Sequence, residues 1–398
     1  MLRECLEKAK EVLKKNATKR GIIAGGEYYR DIWGRDGFIT ALGMSSSDDE
    51  SLVKLSELTI DTLAKFQKPN GQIPNKIPIK GKKMCFGEGG CVDASLWYPV
   101  AVLNHYLNTE DKRFLKKHAK KVEKSVAWAG CLDQNNDFLL ETNEGSDWMD
   151  LLLRFGRVLY DQVVYFKALV ACGKILDILG RKNSYHKLSM QVKRNINLFF
   201  WPEEENLGII RKKYGYTGIE KDFEILLREP AKDYYYAEIG FRRYDSRCDV
   251  FANVLAIVFG ICDKNKANKI LNFIEIQNIN KPYPVKVLHP PIRPEDFFRP
   301  FHFRPTEYPY LQEPGNYHNG GIWPMVGGFY ILSLKKVGKE WRTHLKNLVL
   351  ANKLGKHGEW EFNEWLNSSG IPMGSAYQSW SAGMYIFAYM HGKGKIHI

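Results

Sequence analysis

Apolar positions recur at three- and four-residue intervals along most of this chain. Leu2, Leu6, Ala9, Val12 and Leu13 form one stripe; Leu52, Leu55, Leu58, Leu63 and Phe66 form a second. A period near 3.6 marks helices that bury one face. The same spacing predicts helices over 93–108, 111–130, 158–180, 183–199, 247–261, 264–276, 321–336, 339–353 and 375–391. Strand-like alternation is confined to short pieces near 136–142 and 207–213. The segments 18–36, 68–92, 201–246 and 277–320, rich in Gly, Pro, Trp and Tyr, read as long loops. Loops of such length inside a compact domain usually carry function. No linker-like composition break divides residues 1–398, which predicts one domain. Helices in alternating pairs, with aromatic loops between the pairs, suit a closed double ring: an all-α (α/α)6 barrel. No helical repeat of fixed period argues for a solenoid.

Composition narrows this picture. Apolar residues make up 44% of the 398 and aromatics 13%, enough for a large core. No apolar run is long enough to span a bilayer, and Met1–Lys8 reads as a charged amphipathic helix rather than a secretory leader. The seven cysteines, at 5, 85, 91, 131, 172, 248 and 262, have no CxxC spacing. Neither a zinc site nor a disulfide framework is indicated, so a reducing cytoplasm is expected. The net charge of +13 is densest in Lys112, Arg113, Lys116, Lys117, Lys120, Lys121 and Lys124. These alternate helically with Phe114, Leu115, Ala119 and Val122, which predicts a solvated helix face and no nucleic-acid partner. The expected state is a monomer or homodimer.

The chemistry lies in the loops. Sugars are bound by aromatic faces and by carboxylate, guanidinium and amide groups paired to hydroxyls. One loop reads Glu27-Tyr28-Tyr29-Arg30-Asp31-Ile32-Trp33-Gly34-Arg35-Asp36, with two Arg-Asp pairs around Trp33. A second ends Gly87-Glu88-Gly89-Gly90-Cys91-Val92-Asp93, where Asp93 opens an apolar helix; a plain helix cap is the competing reading. A third is Glu144-Gly145-Ser146-Asp147-Trp148-Met149-Asp150, then Arg154 and Arg157. The others are Tyr317-His318-Asn319-Gly320-Gly321-Ile322-Trp323-Pro324, Trp360-Glu361-Phe362-Asn363-Glu364, and Tyr377-Gln378-Ser379-Trp380-Ser381. His-Asn-Gly ahead of Trp-Pro reads as a rigid binding loop rather than a general base. No HExxH, clustered metal-ligand spacing, Walker loop, GxGxxG or GxSxG is present, so no metal or organic cofactor is expected.

At these motifs the chain resembles the inverting glycoside hydrolases of (α/α)6-barrel fold. The segments 317–324 and 377–381, with the sequence around Asp93, are similar to the alkaline/neutral invertases. Trp33-Gly34-Arg35-Asp36 and Ser146–Asp150 are similar to the glucosidase domain of glycogen-debranching enzymes, the amylo-α-1,6-glucosidases. The resemblance implies Asp93 as general acid and Glu364 as general base. It implies a glucose site built by Arg30, Asp31, Trp33, Arg35, Asp36, Asp147, Trp148, His318, Asn319 and Trp323, with Gln378 and Trp380 supporting the base. The expected substrate is an oligosaccharide or α-glucan stub, sucrose being the invertase alternative. Glu361 is a second candidate for the base, and Asp147 or Asp150 for the acid. Two other readings stay open: a sugar epimerase or isomerase on the same fold, and a non-catalytic carbohydrate-binding protein.

Overall fold

The computed structural model describes residues 1–392 except 82, 88, 215–217, 241–242 and 297–301, and only the backbone of 214, 218, 219 and 222. Glu88 of the glycine-rich loop and the last residues of the expected 1–398 domain thus lie outside the described residues. Among the described residues the helices, in chain order, are α1 (Leu2–Lys15), α2 (Gly34–Ser45), α3 (Glu50–Lys65), α4 (Asp93–Thr109), α5 (Lys112–Gly130), α6 (Leu159–Ile178), α7 (Tyr185–Phe199), α8 (Glu204–Tyr214), α9 (Gly218–Leu226), α10 (Val250–Phe259), α11 (Lys264–Ile276), α12 (Pro324–Val337), α13 (Arg342–Lys353) and α14 (Ser379–Gly392).

Two kinds of helix alternate, and the sequence says why. α10, Val-Phe-Ala-Asn-Val-Leu-Ala-Ile-Val-Phe, is buried on every side, and α2 likewise. α5 keeps Phe114, Leu115, Ala119 and Val122 inside while its lysines face outward, as the periodicity predicts. Helices apolar all round belong in the middle; those with one apolar stripe cover them. The inner helices pack in the order α2, α4, α6, α10, α12, α14, and α14 returns to α2. The ring is closed. α3, α5, α7, α11, α13 and α1 lie outside it, each against its inner neighbours. This is the expected (α/α)6 barrel.

Closure needs glycine. A Cβ on Gly43 of α2 would lie 1.9 Å from the carbonyl oxygen of Gly383 on α14, so the two backbones meet only because neither carries a side chain there. Three glycines in Gly34–Ser45 also explain why periodicity does not reveal α2, since Gly is a poor helix former.

Three expectations about secondary structure are corrected. Segment 207–213 is helical, inside α8, where alternating Leu and Ile mimicked a strand. Segment 136–142 is irregular, with one isolated bridge, Thr142 to Gly156. The supposed loop 201–246 carries α8, α9 and a short antiparallel pairing of Glu238–Gly240 with Arg243–Asp245. All seven cysteines are free thiols. Among the described residues no helix is long and apolar enough to cross a membrane.

Candidate active site

The inner helices begin at one end of the barrel, each preceded by a loop or a two-residue strand, and the sequence motifs sit at these starts. Trp33 precedes α2, Asp93 is the first residue of α4, Trp323 precedes α12, and Gln378 precedes α14. Between them lies a pocket lined by residues of these helix starts and of the loops beside them.

Aromatic groups form its walls. The His318 ring stacks on Trp323 at 5.1 Å and 17°, and Trp148 meets both edge-on, at 5.2 and 5.3 Å. Tyr317 and Trp380 pack on Trp323 from other sides. Tyr29 meets Trp33 edge-on at 5.8 Å. Several residues before functional side chains adopt left-handed backbone: Tyr317 at φ 41°, Phe362 at 45° and Tyr377 at 58°. Bulky residues reach that region only when the surroundings impose it, and such strain gathers at working sites.

The polar groups of the pocket are conspicuous for what they lack. Trp33 Nε1, Trp148 Nε1, Trp380 Nε1, Arg35 Nε, Gln378 Nε2, Asp36 Oδ2 and both ring nitrogens of His318 are buried without a hydrogen-bond partner. All these residues line the pocket. Buried polar groups are normally paired, and leaving one unpaired costs about 1–3 kcal/mol. A concentration of orphans, most of them donors, on one concave surface is what a polyhydroxylated ligand would satisfy.

Three carboxyl groups share the lining: Asp36, Asp150 and Glu364. Burial pushes Glu364 up to about 7; the Ser375 N–H and the Tyr29 hydroxyl oppose this, and Asp36 and Asp150 add to it. The Ser375 N–H donates to Glu364 Oε2 at 3.2 Å. Burial also raises Asp150, opposed by Arg35 and Arg304 and reinforced by Asp147 and Asp93. Asp36 rises to about 6, mainly through burial, although Arg35 Nε lies 3.6 Å from its Oδ2. His318 is driven well below 6.5 by burial and by Arg154, Arg35 and Arg304, so its ring is neutral at pH 7.

Nine of the residues expected from sequence come together here: Trp33, Arg35, Asp36, Trp148, His318, Trp323, Glu364, Gln378 and Trp380. Five do not line the pocket. Asp93 is fully buried beneath it, its Oδ2 accepting from Arg35 Nη1 at 3.1 Å and Tyr160 at 3.3 Å, its Oδ1 facing the Cys91 thiol at 3.2 Å. It is not a helix cap either, since Val92 holds that position. Asp147 accepts from the Met149 N–H and from Arg154, which bridges on to Asp249. Asn319 spends its amide on the loop backbone, binding Ile292 both ways and the Gln312 carbonyl. Arg30 is exposed, and Asp31 binds the Ile79 N–H and pairs with Lys76. Glu361, the second candidate base, has both oxygens occupied by the N–H groups of Lys356 and His357. Asp150, the alternative acid, lines the pocket, as do Tyr29 and Tyr317, which are absent from the expected set. A signal existed for Asp150: of two carboxylates three residues apart, only one can cap the local turn, and Asp147 does so.

A closed double ring of helices with a carboxyl-bearing, donor-rich pocket at one end defines the class: an (α/α)6-barrel glycoside hydrolase. The chain matches the amylo-alpha-1,6-glucosidase family over residues 7–386 and belongs to it. Among curated proteins none matches it in sequence. Solved structures share the fold at low identity. A GH63 mannosylglycerate hydrolase from Thermus thermophilus, in complex with Tris and D-glycerate, is 12% identical with TM-score 0.70, covering 96% of this chain and 99% of that one. A rhamnosidase from Klebsiella oxytoca with rhamnose bound is 14% identical with TM-score 0.65, over 98% and 64%. A bacterial glucoamylase complexed with acarbose is 15% identical with TM-score 0.63, over 97% and 55%.

Proposed function

We propose that the enzyme releases glucose from a terminal α-glucosidic bond with inversion, using Asp150 as general acid and Glu364 as general base. The observation that carries this reading is the presence of both carboxyls, each raised by burial, in one pocket lined with unpaired donors. Asp150 takes the acid role expected of Asp93, because Asp93 is sealed under the floor and committed to Arg35.

Protonated Asp150 donates to the glycosidic oxygen as the C1–O bond breaks. Ionised Glu364 takes a proton from the water that forms the new C1–O bond on the opposite face. The Ser375 N–H and the Tyr29 hydroxyl both donate to Glu364, which suits a base. A value near 7 is close to the optimum for proton transfer at neutral pH. Room for the water implies a carboxyl separation of roughly 6.5–9.5 Å. One guanidinium, Arg35, faces three carboxyl groups in the lining, a balance that favours a developing oxocarbenium ion. Arg35 with Asp36, and the indole, amide and imidazole nitrogens, bind the hydroxyls.

The family favours an α-1,6-linked glucose; sucrose is the competing substrate. Glucose release from isomaltose, panose, limit dextrin, trehalose and sucrose, with NMR of the first-formed anomer, tests the reading. Initial β-glucose is expected. Initial α-glucose would refute inversion; no glucose from any substrate, with Asp150→Asn and Glu364→Gln indistinguishable from wild type, would leave a binding protein. Conversion of a free sugar without hydrolysis would signify an isomerase.

A further inference from the structure

We infer that Asp93 is a positioning residue: it fixes the Arg35 guanidinium so that its Nε edge is presented to the sugar. The inference rests on the reading of Asp150 as acid and deepens it.

Arg35 lines the pocket but is anchored from outside it. Its Nη1 is bonded to Asp93 at 3.1 Å, its plane lies by the Trp380 ring at 6.0 Å, and its Nε is the edge without a hydrogen-bond partner. An arginine side chain has several rotatable bonds, and holding it in one geometry costs side-chain entropy unless its partners are already fixed. Asp93 is such a partner. It sits on the first turn of α4, is fully buried, and is itself held by Tyr160 from α6 and the Cys91 thiol from its own loop. Three segments thus converge on one carboxylate, whose hydrogen bond into the pocket lining goes to Arg35. Asp36, 3.6 Å from Arg35 Nε without a hydrogen bond to it, is left to bind a hydroxyl beside that nitrogen.

The test separates positioning from acid catalysis with a substrate that needs no acid. α-Glucosyl fluoride carries a good leaving group, so Asp150→Asn should retain most of its turnover while losing at least ~100-fold on an α-glucoside. Asp93→Ala should lose ~10- to 100-fold in kcat/KM on both substrates, mainly through KM, because sugar binding is what Arg35 supplies. Asp93→Asn should recover most of that loss, since its amide oxygen still accepts from Arg35 and its N–H2 can face the Cys91 sulfur. Binding of 1-deoxynojirimycin, followed by calorimetry, should weaken in Asp93→Ala and recover in Asp93→Asn. This readout stands whether or not any glucoside is turned over, so its failure is distinguishable from failure of the functional reading. The inference is overturned if Asp93→Asn loses glucoside turnover yet keeps fluoride turnover, the signature of the acid itself. It is equally overturned if a folded Asp93→Ala binds the probe as wild type does.

Discussion

Glu364 and Ser375 hold each other in both directions: the Glu364 N–H donates to the Ser375 carbonyl at 2.8 Å, and the Ser375 N–H donates to the Glu364 carboxylate at 3.2 Å. Gly374 makes this possible, since a Cβ there would come within 2.7 Å of Glu364 Cβ. The Glu364 carboxylate is thus set by backbone on a strained loop, and its burial has a thermodynamic consequence.

In the folded protein Glu364 keeps its proton up to about 7 rather than the ordinary 4.5. The folded state therefore binds more protons than the unfolded chain across that interval, and this group's contribution to stability falls as pH rises from 4.5 through 7. Glu364→Gln removes the cost of burying the anion, of order 3 kcal/mol. The variant should be inactive yet melt higher than wild type at pH 8, with the difference shrinking toward zero near pH 4. Calorimetric scans at the two pH values check this; equal melting points at pH 8 would contradict it.

The same ionisation shapes activity. A base must be ionised, so kcat/KM should rise with pH through about 7 as Glu364 loses its proton. His318, neutral throughout this range, adds no titration of its own to that limb. His318→Gln should raise KM by about tenfold or more through lost stacking and hydrogen bonding, while the acid limb stays where it was. A limb that vanished with His318 would reassign the base.

Arg154 joins Asp147 to Asp249 at 2.7 and 2.6 Å, all three groups buried. Arg154→Met leaves two buried carboxylates without their cation and should cost ~3–5 kcal/mol. Adding Asp147→Asn and Asp249→Asn should restore part of that loss. Urea unfolding of the single and triple variants is the measurement, and additivity without recovery would argue against a charge-based role.

Gly43→Ala should destabilise by at least the ~1–3 kcal/mol of ordinary overpacking, because its Cβ would run into the Gly383 carbonyl. Gly208→Ala, on exposed helix α8 with nothing near its Cβ, should instead stabilise by up to ~1 kcal/mol. Thermal melts of the two variants should move in opposite directions.

The barrel was legible because its outer helices announce themselves: the Lys-rich face of α5 against Phe114 and Val122 admits one reading. α2 was not, since its Gly43 answers to a neighbour some 340 positions away in the chain, a constraint that local periodicity does not carry. In the site, nine of the residues picked from the aromatic and glycine-rich loops line one pocket. What they did not reveal was which member of each charged pair turns inward. Asp93 and Asp150 are both carboxylates at motif positions, and only the third dimension shows that Arg35 claims one and the pocket the other. Asn319 and Glu361 mislead in the same way: each is a polar residue in a sugar-like motif, spent on backbone N–H and carbonyl groups.

The ring closes late in the sequence. Helix α14 seals against α2, Gln378 bridges to Gly25, and Asn16 binds the Tyr377 carbonyl and the Ser379 hydroxyl. A chain emerging from a ribosome consequently carries its first pocket residues, Tyr29 to Asp36, long before their partners exist. Until Trp380 has been made and docked, the faces of α2 and α12 that pack on α14 in the closed ring have no partner. A truncated translation product would be a substrate for chaperones and proteases, not a slower enzyme.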